Sequence, residues 1–85
     1  MSDYFIARGY VEASNYRTKV VQTLGDKVMT PTAIAKKSNI RTNHISNVLT
    51  QLKGYNIVIC LNEEARKGRL YKLTEKGKKI NKDIE

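Results

Sequence analysis

The spacing of apolar positions changes along the chain, and the changes divide it into elements. Between 14 and 24, Tyr16, Val20, Val21 and Leu24 recur at i, i+4, i+5 and i+8, the rhythm of one buried helix stripe. Ser14 stands ahead of the stripe, where its hydroxyl can accept from an orphan N–H, and Gly25 stands just past it, where left-handed backbone is wanted. Thr30 and Pro31 open a second helix, since proline at the first helical position loses only an N–H that had no partner. In it Ile34 and the small Ala35 face inward, Lys36 and Lys37 face out, and the small residues Ala33 and Ala35 let the following helix approach closely. Asn39 interrupts the pattern as a residue that tolerates the left-handed region, and Ile40 is expected to plug the turn behind it. Thr42 is then expected to cap a third helix with the stripe Ile45, Val48, Leu49 and Leu52, and Gly54 to close it.

After Gly54 the period falls toward two. Residues 57–61 are β-branched and apolar on both parities, residues 69–73 alternate, and the charged stretch between them predicts a hairpin tip. Thr74 and Glu75 begin a last helix with a narrow apolar edge at Ile80 and Ile84. Residues 26–29 form a connector with a brief extended piece at Val28 and Met29. In the first thirteen residues Phe5, Ile6, Tyr10 and Val11 suit a helix face, although Gly9 and the Tyr-Phe-Ile run also suit a strand; helix is preferred. This segment needs an apolar partner, either the domain's own core or a second copy.

The elements add up to an α+β, mostly α, single domain over 1–85. An N-terminal segment (1–13) precedes a core helix (14–25), a helix-turn-helix (30–53), a wing hairpin (57–73) and a C-terminal helix (74–85). This order, a three-helix core with a β-hairpin wing and a C-terminal helix, is that of a winged helix-turn-helix.

Charge narrows the function. Sixteen Lys plus Arg against eight Asp plus Glu give +8, which on so small a domain favours a polyanion, nucleic acid before an anionic membrane surface. No apolar run approaches the ~20 residues that span a bilayer, and no signal peptide is readable, so the expected location is the cytoplasm. The single Cys60 and single His44 leave no metal spacing and no internal disulfide. The scattered carboxylates form no catalytic set, so neither an enzyme nor a cofactor is expected. Cys60, in an apolar strand, reads as a small buried hydrophobe rather than a redox sensor. Tyr4, Phe5, Tyr10, Tyr16, Tyr55 and Tyr71 read as core or dimer packing rather than base-stacking platforms.

Two stretches also carry a family likeness. Ile34-Ala35, Asn39-Ile40, Ile45 and Val48 fall at the spacing of the helix-turn-helix signature, and Lys67-Gly-Arg-Leu-Tyr-Lys-Leu-Thr-Glu-Lys-Gly77 looks like a wing and the helix after it. Over roughly residues 14–80 the chain resembles small archaeal and bacterial winged-helix transcription regulators of the MarR/ArsR-like group. It departs from the signature at Asn39, where glycine is usual, and at Ser38, where an apolar residue is usual. The resemblance implies a transcription regulator bound to double-stranded DNA.

The residues of the third helix fit that role. Opposite its apolar stripe stand amides, hydroxyls and an imidazole, where a merely solvated face would carry Lys and Glu. Thr42, Asn43, His44, Ser46 and Asn47 in its first half are the candidate base readers, because Asn pairs bidentately with adenine and Ser and Thr can donate or accept. Lys36, Lys37 and Arg41 are candidate phosphate contacts that set register, and Arg66, Lys67 and Arg69 are candidate wing contacts. Glu63 and Glu64 would repel phosphate unless they turn toward Lys53 or pair with the arginines. The expectation is a sequence-specific, homodimeric DNA-binding protein. The rivals are a non-specific architectural or replication protein and a winged-helix module for protein partners.

Overall fold

The computed structural model describes residues 3–85, in which five helices and one hairpin follow in the order α1 (Asp3–Glu12), α2 (Asn15–Leu24), α3 (Pro31–Ser38), α4 (Thr42–Gly54), β1 (Val58–Cys60), β2 (Tyr71–Leu73) and α5 (Glu75–Ile84). Val20, Val21 and Leu24 of α2, Ile34 of α3, and Ile45, Leu49 and Leu52 of α4 are buried together with Ile57, Leu73 and Ile80 in one core. Truncating any of the larger of these to alanine would cost roughly 2–5 kcal/mol, a large share of the stability of so small a domain.

Caps fix where the helices begin. Ser14 accepts from the Arg17 N–H, Thr30 from the Ala33 N–H and Thr74 from the Gly77 N–H, each as its sequence position predicts. Helix α4 is different: Arg41 is its N-cap residue and makes no side-chain cap bond, so Thr42 is already helical and does not cap. Its end also differs from expectation, because the helix runs through Gly54 and the left-handed residue is Asn56, at φ 59°.

The two helices of the helix-turn-helix end by one device. Asn39 lies at φ 60°, and the Ile40 N–H turns back to the Ala35 carbonyl at 3.1 Å. Asn56 and Ile57 repeat this, with the Ile57 N–H 2.9 Å from the Leu52 carbonyl. In each case the asparagine takes the left-handed position, the isoleucine behind it is buried, and orphan carbonyls are satisfied. Ser38, buried at the first of these turns, donates to the Ile34 carbonyl at 2.6 Å, which removes the cost of a hydroxyl at an apolar position.

β1 and β2 pair antiparallel with Val58 opposite Leu73 and Cys60 opposite Tyr71. Both strands are shorter than their apolar runs because the hairpin leaves the core after Cys60, and Leu61 and Leu70 are exposed. The extended piece expected at Met29 exists as an isolated antiparallel bridge to Tyr71. Cys60 is half-buried and lies 3.7 Å from the Asn62 side-chain oxygen.

The N-terminal segment is helical, but with another face inward than its large residues suggest. Ala7 and Val11 are buried and Tyr4 packs beside them, while Phe5 and Ile6 remain 63% and 50% exposed. Residues 1 and 2 of that segment lie outside the described residues. Tyr10 stacks on Tyr55 at 3.9 Å between centroids, and the Arg17 guanidinium covers Tyr10 at 3.8 Å. Arg17 Nε also donates to the Tyr10 carbonyl at 2.6 Å, so α1, α2 and the end of α4 are fastened at one point. At the other end of α1, the Tyr4 hydroxyl donates to Asp83 of α5.

Candidate nucleic-acid interface

With Ile45, Val48, Leu49 and Leu52 turned into the core, the helical repeat places Asn43 and Asn47 one turn apart in the middle of the exposed face of α4. Ser46 and Thr50 lie to one side, facing the wing across an open cleft of about 550 Å³. His44 and Gln51 lie to the other side, against α2: the His44 ring is 5.2 Å from Tyr16, and Gln51 Oε1 is 3.5 Å from Arg17 Nη1. Thr42 is exposed in the first turn. Four of the five candidate base readers thus share the front or its wing side, and His44 stands on the far margin. Thr50, whose hydroxyl donates to the Ser46 carbonyl at 3.0 Å, presents only acceptor lone pairs to the cleft.

The cleft floor brings in residues that the sequence pattern left unassigned. Thr30, Pro31 and Thr32, at the start of α3, line it together with Arg66, Lys67 and Arg69 of the wing. A helix N-terminus, several hydroxyls and two or more cations facing one space make a surface suited to a phosphate backbone. The signal for Thr30 and Thr32 was present in the Thr-Pro-Thr opening, but it was absorbed by capping.

The wing loop is held by its own side chains. Asn62 Oδ1 accepts from the Leu70 N–H at 2.7 Å, and its Nδ2 donates to the Gly68 carbonyl at 3.2 Å. Arg69 Nε donates to the Ala65 carbonyl at 2.7 Å and Nη2 to the Glu63 carbonyl at 2.9 Å. Arg69 therefore braces the loop, with only its remaining N–H groups left to face a ligand. Arg66 and Lys67 have no hydrogen-bond or ion-pair partner among the described residues and are exposed at the tip. Glu63 forms an ion pair with Lys53 at the end of α4, which turns its charge back toward the protein. Glu64 stays exposed.

On the other flank, Lys36 and Arg41 are exposed, and their side chains pair with nothing among the described residues. Lys37 is set apart from them: hydrogen bonding to, and repulsion from, the neighbouring Lys27 ammonium hold its own ammonium below the usual lysine range. Among the described residues no group of three or more His, Cys, Asp or Glu is placed to hold a metal ion, and no helix is long and apolar enough to cross a membrane.

Comparison with solved structures gives this arrangement a place. NadR in complex with 4-hydroxyphenylacetate is similar at 18% identity and a TM-score of 0.74, covering 95% of this chain and 59% of its own. A MarR-family transcriptional regulator from Silicibacter pomeroyi is similar at 18% identity and a TM-score of 0.65, covering 89% of this chain and 57% of its own. The chain has the winged helix-turn-helix fold of MarR-family regulators. MepR of S. aureus, solved as a complex with DNA, matches 99% of the winged helix described here and 60% of its own chain, with 18% identity and a TM-score of 0.58. The winged helix spans about half to three-fifths of the length of these structures, 48% in the case of ZitR from Lactococcus lactis and 60% in that of MepR. No protein-family model and no curated protein sequence matches the chain.

Proposed function

We propose that this chain is a sequence-specific double-stranded DNA-binding transcription regulator that acts as a homodimer, with α4 in the major groove and the wing on an adjacent groove or the backbone. The observation that carries the reading is the division of labour around α4. Its exposed face holds Asn43, Asn47, Ser46 and Thr50, groups that read base edges, while unpaired cations stand beside it at Lys36, Arg41, Arg66 and Lys67. Uncharged hydrogen-bonding groups discriminate between bases; displaced cations supply the salt-dependent attraction. The similarity to MepR, which was solved with DNA, supports the same reading.

The homodimer is supported by α1, whose Phe5 and Ile6 leave two large apolar side chains uncovered beside α5. Two copies related by a two-fold axis would address a pseudo-palindrome with half-sites about one helical turn apart, or a multiple of it.

Selection from a randomised duplex pool at several salt concentrations tests the proposal. The expected result is an enriched pseudo-palindromic site whose preference weakens by roughly 1–3 kcal/mol at specific positions in Asn43→Ala or Asn47→Ala. Absence of any enriched sequence, with affinity vanishing at moderate salt, would leave the non-specific reading in its place. Protection of α4 by a protein partner, with no response to duplex DNA, would favour the protein-binding module. Sedimentation of the purified chain decides the dimer.

A further inference from the structure

We infer that Tyr16 is a specificity-determining positioning residue, which holds the His44 imidazole at the edge of the DNA-reading face. Its apolar ring and its spacing of four from Val20 assign it to the core stripe, yet Val20, Val21 and Leu24 are buried while Tyr16 stays 45% exposed. Its ring stands instead against His44, at 5.2 Å and a tilt of 50°. The first turn of α2 meets the same edge of α4 a second time, two turns along, where Arg17 reaches Gln51. Two successive residues of α2 thus abut two residues of α4 that lie on one side of the exposed face.

The contact matters because of where His44 sits. At the third position of α4 it is exposed, and its side chain makes no hydrogen bond or ion pair with the described residues. An imidazole on a bare helix surface samples several χ1 and χ2 wells, and a flexible side chain must lose that freedom when it binds. The Tyr16 ring favours, among those wells, the one in which the imidazole lies against it. The imidazole is thereby held at the margin of the face that α4 turns to the groove in the function proposed above, on which this inference rests. The core packing of α2 does not need Tyr16, so its role is separable from folding.

The test compares the sites selected from a randomised duplex pool by the wild-type chain, Tyr16→Phe, Tyr16→Ala, His44→Ala and the Tyr16→Ala/His44→Ala double variant. His44→Ala is expected to flatten the preference at one or two base pairs, and Tyr16→Ala to weaken it by about 3- to 10-fold at the same positions. Tyr16→Phe, which keeps the ring, retains the wild-type preference, and the double variant is no worse there than His44→Ala alone. In parallel, the chemical shifts of the His44 ring protons in the free protein should move in Tyr16→Leu and hold in Tyr16→Phe, a readout that needs no DNA.

Unchanged preference at every position in Tyr16→Ala, or a change at positions that His44→Ala leaves alone, overturns the inference. So does a His44 ring signal indifferent to Tyr16→Leu. If the wild-type chain itself selects no sequence, the base-reading proposal has failed and this inference with it, an outcome distinct from a loss confined to the Tyr16 variants.

Discussion

The carbonyl oxygen of Ile57 occupies the space where a side chain on Gly77 would begin. That oxygen is fixed, because it accepts from the Thr74 N–H at 3.0 Å, while the Thr74 hydroxyl donates to the adjoining Asn56 carbonyl at 2.8 Å. A Cβ at residue 77 would also press on the Leu73 Cβ at 3.2 Å. Gly77→Ala is therefore expected to destabilise by about 1–3 kcal/mol through overpacking, despite the better helix propensity of alanine. Thermal unfolding would register this as a fall of roughly 4–8 °C per kcal/mol. Gly9→Ala, where nothing lies within 4 Å of the added carbon, serves as the control and should stabilise.

Asn39 and Asn56 both hold left-handed backbone at helix ends. Asn39→Gly should be neutral or stabilising by a few tenths of a kcal/mol, and a β-branched residue such as valine should cost about 1–2 kcal/mol. Urea midpoints at constant m-value measure both. A larger loss in Asn39→Gly would mean that the asparagine side chain does more than permit the turn.

The wing separates cations that face outward from one that braces the loop. Arg66→Ala and Lys67→Ala should each reduce the slope of log affinity against log salt by about 0.9, with no effect on which sequence is selected. Arg69→Ala should instead loosen the 62–70 loop, visible as faster amide exchange there in the free protein. Arg69→Lys should fail to restore it, since one ammonium cannot span the Ala65 and Glu63 carbonyls as the guanidinium does.

Tyr4 couples the terminal helices to pH. The hydrogen bond to Asp83, and then burial and the Asp83 charge, raise its pKa above 10.0, against a smaller opposing effect of Arg8. A raised folded-state pKa means that the phenol form is favoured by folding. That contribution is whole below the unfolded value near 10 and is lost as pH climbs through the folded one. The stability of the wild-type chain minus that of Tyr4→Phe should therefore be constant from neutral pH to about 10 and shrink above it.

Much of this was legible because caps and stripes are local. Ser14, Thr30 and Thr74 sit where hydroxyls are used as caps, the four apolar residues of α4 could face only one way, and Asn39 announced a left-handed turn. The remainder depends on three-dimensional context. In α1 the small Ala7 is buried and the large Phe5 is not, because closeness to α2 selects for size as well as hydropathy. Gly54 looked like the end of α4, but the turn uses Asn56, and the clue lay in the repeated Asn-Ile pair rather than in the glycine. The place of Glu63 was conditional on Lys53, a residue ten positions earlier, and the two do pair. Arg69 offered no sequence sign that its guanidinium turns inward to the loop.

Met29 and Tyr71 exchange two backbone hydrogen bonds, at 3.0 and 2.9 Å, one residue before the Thr30 cap of α3. Because Tyr71 also pairs with Cys60, the stem of the wing and the entrance of the helix-turn-helix are sewn together on one strip of backbone. A pull on the stem is delivered to α3 within a single residue, so the two walls of the cleft cannot part without tearing that seam. The tip beyond Leu70, which carries Arg66 and Lys67, lies outside that seam and takes its shape from Asn62 and Arg69. A strand lying in the cleft would meet a jaw tied by backbone at the hinge and by side chains at the lip.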